Sequence, residues 1–370
     1  MNNSVLLTII AVSPFTAVLC ATLWDKNVTT TLSNVNFAVP FPGIGWLERI
    51  ATLSTEYRSS DGTLYSSVYD AILSGAPMDH PCQNFNAYLN SVFIPPRLAS
   101  WVVDNIGGNL FWGHYILCYL RNFVAAMLVY YGTASIFHYH CYVHPRSKEI
   151  FANRTRPSWE TIWDQIKLAQ ASLFLYTLLP VLDEYLVESG WTQVYHTIDD
   201  IGGWLPFCLY TLLYFSLVEI GIYWMHRTLH TNKFLYKHVH MLHHKYNRAE
   251  TLTPWCSIAF HPLDGILQAS PYVIALFFVP CHYGLHVLML FFTAIWATYI
   301  HDAMDFNLDP IMGSKYHTVH HTHYIYNYGQ VFTFCDKFWG TLKIPEGPTG
   351  VPSSKRSKLE PTSRMMNKMK

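Results

Sequence analysis

Residues 201–244 read IGGWLPFCLYTLLYFSLVEIGIYWMHRTLHTNKFLYKHVHMLHH. From Ile201 to Met225 the stretch is 25 predominantly apolar residues with Glu219 as its one charge. As a helix that is roughly 37 Å, enough to cross a bilayer core of about 30 Å. Histidines begin where the apolar run ends: His226 and His230 in HRTLH, then His240, His243 and His244 in HMLHH. A third cluster, His317, His320 and His321 in HTVHH, follows further on, and 14 of the chain's 20 histidines fall between residues 226 and 323. On a helix, positions i, i+3 and i+4 share a face, so each cluster is expected to present its imidazoles as one stripe. Neutral imidazole is the usual protein nitrogen ligand of iron and zinc, and eight rings in three groups suffice for two ions. A packed core gains nothing from so much polar nitrogen, because every buried ring needs a partner.

Composition agrees with a membrane setting. The 370 residues are 51% hydrophobic and 13% charged, against about 25% charged in soluble domains. A second apolar run, Leu110 to Phe137, is broken only by Arg121, and a weaker one spans about Ile166 to Leu182. The stretch from Gly265 to Ile300 is interrupted at Pro280-Cys281-His282 and reads as a helical hairpin with a short first arm. The expected fold is an all-α integral membrane protein: about four transmembrane helices carrying a cytosolic helical cap that holds a two-metal histidine site. Net charge is zero, so nothing favours nucleic acid. Eight cysteines without a CxxC pair read as reduced core residues rather than a disulfide framework or zinc ribbon.

Three regions are expected. Residues 1–105 form an extension; 106–345 form the membrane-embedded domain; 346–370 form a basic cytosolic tail. Residues 1–24 carry no charge, so they read either as a signal peptide lacking its positive n-region or as another anchor. The sequon at Asn27 matters only if it faces the lumen. Residues 226–264 carry Arg227, Lys233, Lys237, Lys245 and Arg248, which places them on the cytoplasmic side by the positive-inside bias. A hairpin over 265–300 returns the chain to that side, so all three clusters converge; a single crossing would divide them between two leaflets.

The strings around the clusters, GIYWMHRTLH, LYKHVHMLHHKYN, AFHPLDGILQASPYVIALFFVP, TYIHD and KYHTVHHTHYIYNYGQ, resemble sterol carbon-5 desaturases, or lathosterol oxidases, of the fatty-acid hydroxylase and sterol desaturase superfamily. The resemblance covers about Leu110 to Leu342. It implies that His226, His230, His240, His243, His244, His317, His320 and His321 ligate two iron ions, and that His301 in TYIHD is a ninth ligand. His261 in AFHPLDG is also matched, with its role open between ligand, partner of a ligand and polar group at a helix start. The implied reaction forms a double bond between carbons 5 and 6 of a delta-7 sterol with dioxygen. Dioxygen takes four electrons and the substrate supplies two, while the chain carries no flavin, nicotinamide or haem signature. The resemblance therefore implies cytochrome b5 and its NADH-dependent reductase as donors, and the endoplasmic reticulum membrane as the location.

Metal-bound histidines usually donate their other nitrogen to a carboxylate or carbonyl. Candidates are Glu219, seven residues before His226, with Asp264, Asp302, Asp305 and Asp336; for each aspartate an ordinary cap or turn is the alternative. Tyr324, Tyr326 and Tyr328 line either a substrate slot or, more commonly for tyrosine, the membrane interface. His238 and His323 fall off the stripes, and His282 and His286 sit at the hairpin turn in structural positions. Competing functions are another superfamily activity, such as a sterol methyl oxidase or lipid hydroxylase, and a histidine-rich membrane transporter or zinc-binding structural protein. Transporters place ionisable groups near the midplane, whereas these clusters lie beyond the apolar runs.

Overall fold

The computed structural model describes residues 57–58, 64–65, 81–106, 110–145, 147–152, 155–248, 250–302 and 310–345. The apolar amino terminus, the Asn27 sequon, Asp305 and the basic tail lie outside the described residues. Ten helices organise the described part: α1 (Pro81–Phe93), α2 (Pro96–Asn105), α3 (Leu110–His138), α4 (Trp159–Tyr176), α5 (Leu178–Glu188), α6 (Trp204–Thr231), α7 (Pro262–Ala275), α8 (Tyr283–Ile300), α9 (Ser314–His323) and α10 (Phe334–Phe338). Short helical turns and two-residue strands complete it.

Four stretches are long and apolar enough to cross a membrane: Trp112–Val143, Trp159–Glu188, Trp204–Thr231 and Tyr283–Ile300. The weak run near Ile166–Leu182 is thus the middle of a longer span built from α4 and α5. The run expected from Ile201 starts three residues later. Gly202 and Gly203 adopt φ of 85° and 102°, a left-handed turn open to glycine that separates α6 from the preceding 3-10 turn Ile198–Ile201. At its other end α6 runs past Met225 to Thr231, so His226 and His230 are helical. The first hairpin arm, α7, has 14 residues, about 21 Å, too short to span alone.

Contacts divide the chain into two units. The first holds the described residues up to 125, with 177–214 and 276–289. Its core includes Ile94, Ala99, Val102 and Leu117, and it encloses the buried charged residues Arg121, Asp183 and Glu184. Arg121, which interrupts the apolar run of α3, donates to Glu184, to Asn90 Oδ1 at 2.9 Å and to the carbonyl of Asn86 at 2.8 Å. His286 bridges Asp183 at 2.6 Å and the Tyr214 hydroxyl at 2.7 Å, as expected for charges that persist in apolar surroundings only when paired. Val194–Tyr195 pairs in parallel with Cys281–His282, which ties down the hairpin turn.

The second unit holds the described residues of 126–176, 215–275 and 290–345 and contains all eight histidines of the clusters and His301. In it α6 packs closely on α7: a Cβ on Gly221 would lie 2.7 Å from Pro271 Cβ, so only glycine permits the approach. Gln165 on α4 donates to the carbonyl of Thr251 at 2.7 Å and accepts from Thr253 at 2.5 Å, tethering the loop after the second histidine cluster.

Candidate metal centre

Each cluster owes its geometry to local structure. His226 and His230 sit one turn apart near the end of α6. The second cluster is not a regular α-helix: His240 closes a π-helical turn, Tyr236–His240, and His243 opens a 3-10 turn, His243–Lys245. The third lies on α9, and His301 follows the last residue of α8. All nine side chains are buried, none more than 4% exposed.

The structure sorts them into two groups, His226, His230, His240, His244 and His320 in one, His243, His301, His317 and His321 in the other. Within each group one nitrogen per ring lies within 4.8 Å of all the others. The expectation of one stripe per cluster is therefore corrected. On α9, His317 and His321 are four apart and face the second group, while His320 turns to the first. The change of helical pitch splits HMLHH likewise, sending His240 and His244 one way and His243 the other.

The nitrogens of these rings face one another at distances that fit a shared cation. In the first group Nε2 of His230, His240 and His244 form a triangle of 2.8, 3.1 and 3.1 Å. In the second, Nε2 of His301 lies 3.3 Å from His243 and 3.0 Å from His317, which is 3.1 Å from His321. A metal–nitrogen bond of about 2.0–2.1 Å places neighbouring ligand nitrogens about 2.8–3.4 Å apart in tetrahedral or octahedral coordination. Nε2 of His226 and of His320 is buried without a hydrogen-bond partner. Such convergence of lone pairs is unfavourable unless a cation lies among them, so the residues present fit metal ions.

In four of the nine rings a hydrogen bond at Nδ1 sets the tautomer. Nδ1–H of His240 donates to Asp264 Oδ2 at 2.8 Å, that of His226 to the Tyr328 carbonyl at 2.9 Å, that of His320 to the Tyr326 carbonyl at 2.8 Å and that of His301 to the Ala297 carbonyl at 2.6 Å. Each of these bonds leaves Nε2 with its lone pair facing the group. Burial holds His301 down to about 4 and His320 down to about 3, and pushes His243, His244, His317 and His321 well below the ordinary imidazole range. These rings are neutral at physiological pH, the form that binds metal.

The other sequence candidates fall in different places. Asp264, in the first turn of α7, bonds a histidine directly and also accepts from Gln268 at 2.8 Å. Glu219 touches no histidine; its Oε1 accepts from the backbone amides of Gln330, Val331 and Phe332 at 3.2, 2.9 and 2.8 Å. Asp336 accepts from the amides of Tyr328 and Gly329, both at 2.8 Å. His261 accepts from the Leu263 amide at 3.2 Å, a helix-start contact outside both groups. Asp302 is buried beside His301. His238 is exposed, but His323, expected off the stripe, is 5% exposed and donates to the Val319 carbonyl at 3.1 Å.

Two of the three tyrosines, Tyr324 and Tyr328, pack against the first histidine group. Tyr328 is 2% exposed, with its ring 5.3 Å from His230 and 5.5 Å from His320, and Tyr324 packs 5.0 Å from His244. Tyr236, which sequence reasoning passed over, lies 5.6 Å from His230; its place four residues before His240 was the available signal. These aromatic faces exclude water from the first group.

Residues 211–341 match the family described as Fatty acid hydroxylase. The chain is 44% identical over 232 residues to a protein of Arabidopsis thaliana named putative Delta(7)-sterol-C5(6)-desaturase 2, covering 63% of this chain and 82% of the relative. It is 40% identical over 237 residues to the Delta(7)-sterol-C5(6)-desaturase of Nicotiana tabacum, 63% and 87% covered, and 32% identical over 239 residues to the human lathosterol oxidase, 61% and 75% covered. No solved structure matches. Four apolar spans, two buried histidine groups and these likenesses agree: the chain belongs to the family of delta(7)-sterol-C5(6)-desaturases and lathosterol oxidases.

Proposed function

We propose that the protein introduces the 5,6 double bond into a delta-7 sterol, using dioxygen, at a pair of iron ions held by its nine clustered histidines. The observation that carries this reading is the convergence of buried, neutral Nε2 atoms into two adjacent groups, together with relatives named for this reaction. His226, His230, His240, His244 and His320 hold one ion; His243, His301, His317 and His321 hold the other. An unactivated ring C–H bond is beyond side-chain acids and bases, and the irons, when bound, supply the oxidising chemistry with dioxygen. The chain's own residues bind and orient. Asp264 and the carbonyls of Ala297, Tyr326 and Tyr328 fix the ligand tautomers, while Tyr236, Tyr324 and Tyr328 keep water from the first ion.

Two electrons per turnover come from outside the chain, and cytochrome b5 with its NADH-dependent reductase is the donor this reading assigns. Lys233, Lys237 and Lys245, together with Arg227 and Arg248, follow or flank the ligands and suit an acidic haem protein. The same positive bias supports a cytosolic position for the site in the endoplasmic reticulum membrane. The test is expression in a yeast lacking its own delta-7-sterol 5(6)-desaturase, followed by mass spectrometry of the sterols. Delta-5,7 sterols are expected; a hydroxylated lipid or a demethylated sterol instead would assign the chain to another activity of the superfamily.

A further inference from the structure

Five consecutive backbone amides, Tyr328 to Phe332, donate to just two carboxylates. Asp336 takes the first two through separate oxygens, and Glu219 takes the other three through one oxygen. Both acids are nearly inaccessible, Glu219 at 4% and Asp336 at 0%. A buried carboxylate is costly, and repeated N–H donors are what make it tolerable. Thr341 adds a sixth donor, to Asp336 Oδ1 at 2.7 Å. The neighbouring Asn327 is locked as well: at φ 58° its side chain donates to the carbonyls of Tyr316 and Lys343 at 3.0 and 2.9 Å and accepts from the Lys343 amide at 2.8 Å.

The other edge of the same segment faces the histidines. Its carbonyls at Tyr326 and Tyr328 accept from Nδ1 of His320 and His226, two of the five rings of the first group. The remaining anchors attach elsewhere, His240 to Asp264 on α7 and, in the second group, His301 to Ala297 within α8. A carboxylate fixes an amide, the amide's peptide chain fixes a carbonyl, and the carbonyl fixes a ring.

We propose that Glu219 and Asp336 are positioning residues for the first metal position alone, acting through residues 326–332 on His226 and His320. This rests on the reading of the histidines as two metal positions. Without the clamp, His226 and His320 lose their fixed orientation while His230, His240 and His244 remain, so binding at one position weakens rather than disappears. Loss of a group that orients a metal-bound histidine lowers affinity about 10–100-fold.

The experiment titrates detergent-solubilised, metal-stripped full-length protein with cobalt(II) alone, reading visible absorption and bound metal per chain. The unaltered protein is expected to bind two equivalents. Glu219→Ala and Asp336→Ala should each weaken one equivalent at least tenfold and leave the other within about twofold. Glu219→Gln retains an oxygen acceptor and should stay within about threefold of the unaltered protein at both positions. Should the alanine variants not fold, Glu219→Asp withdraws the oxygens by one methylene and should still weaken one equivalent selectively. Equal weakening of both positions, no weakening of either, or failure of Glu219→Gln to rescue would overturn the proposal while leaving the two-metal reading intact. Absence of cobalt binding by the unaltered protein would remove both.

Discussion

Replacing Asp264 by alanine isolates the contribution of one carboxylate to one metal ligand. Asp264 is fully buried; Oδ2 accepts from His240 Nδ1 and Oδ1 from Gln268 Nε2, both at 2.8 Å. Truncation strands the buried His240 donor, at about 1–3 kcal/mol, together with the half-buried Gln268 donor, which water can still reach, and frees His240 to rotate or switch tautomer. Groups that orient metal-bound histidines are worth about 10–100-fold in affinity, or roughly 1.4–2.7 kcal/mol, so the two scales agree. The same truncation removes the acid from the first turn of α7, a helix-dipole loss of about 0.3–1 kcal/mol that does not depend on metal. Asp264→Ala should therefore raise the dissociation constant of one cobalt equivalent by 10–100-fold and also lower the melting point of the metal-free protein. Asp264→Asn keeps a carbonyl for one donor only and should fall between. Competition against a chromophoric chelator measures it, and a dissociation constant unchanged within twofold would refute the idea that Asp264 orients His240.

His243→Ala and His320→Ala, one from each group, should each abolish sterol turnover in the yeast assay while membrane insertion, followed by fractionation, stays intact; near-normal turnover would take the residue out of the metal shell. Lys245→Ala should change little. Its partner Asp164 and Lys245 itself are about half exposed, 49% and 52%, and such pairs contribute less than about 1 kcal/mol, so a melting point close to that of the unaltered protein is expected. Gly221→Val should destabilise by about 1–3 kcal/mol through overpacking against Pro271, visible as a lower melting point.

Much of the architecture was legible because the bilayer imposes a length and a polarity that hydropathy reads directly. The runs at Leu110–Phe137 and Ile201–Met225 map onto α3 and α6 with shifts of a few residues, and the short first arm of the 265–300 hairpin is α7. The eight clustered histidines were legible too, since few folds tolerate so many imidazoles without a shared purpose, whereas His301 stood out only through the family resemblance. Their division was not. Spacing alone assumes α-helical pitch, whereas the second cluster passes through π-helical and 3-10 turns that redirect His243 away from His240 and His244. The partners of Glu219 were equally hidden, lying 111 to 113 residues downstream as backbone amides with no side-chain signature. Arg121 shows the same limit: its interruption of an apolar run was plain, but its partner Glu184 is 63 residues away on another span.

X-ray absorption on the iron-loaded, full-length protein addresses the metal pair itself. An inner shell of nitrogen and oxygen with the outer-ring scattering of several imidazoles, at two irons per chain, is the predicted spectrum. A single iron per chain, or sulfur in the inner shell, would contradict an assembly of nine histidines around two ions.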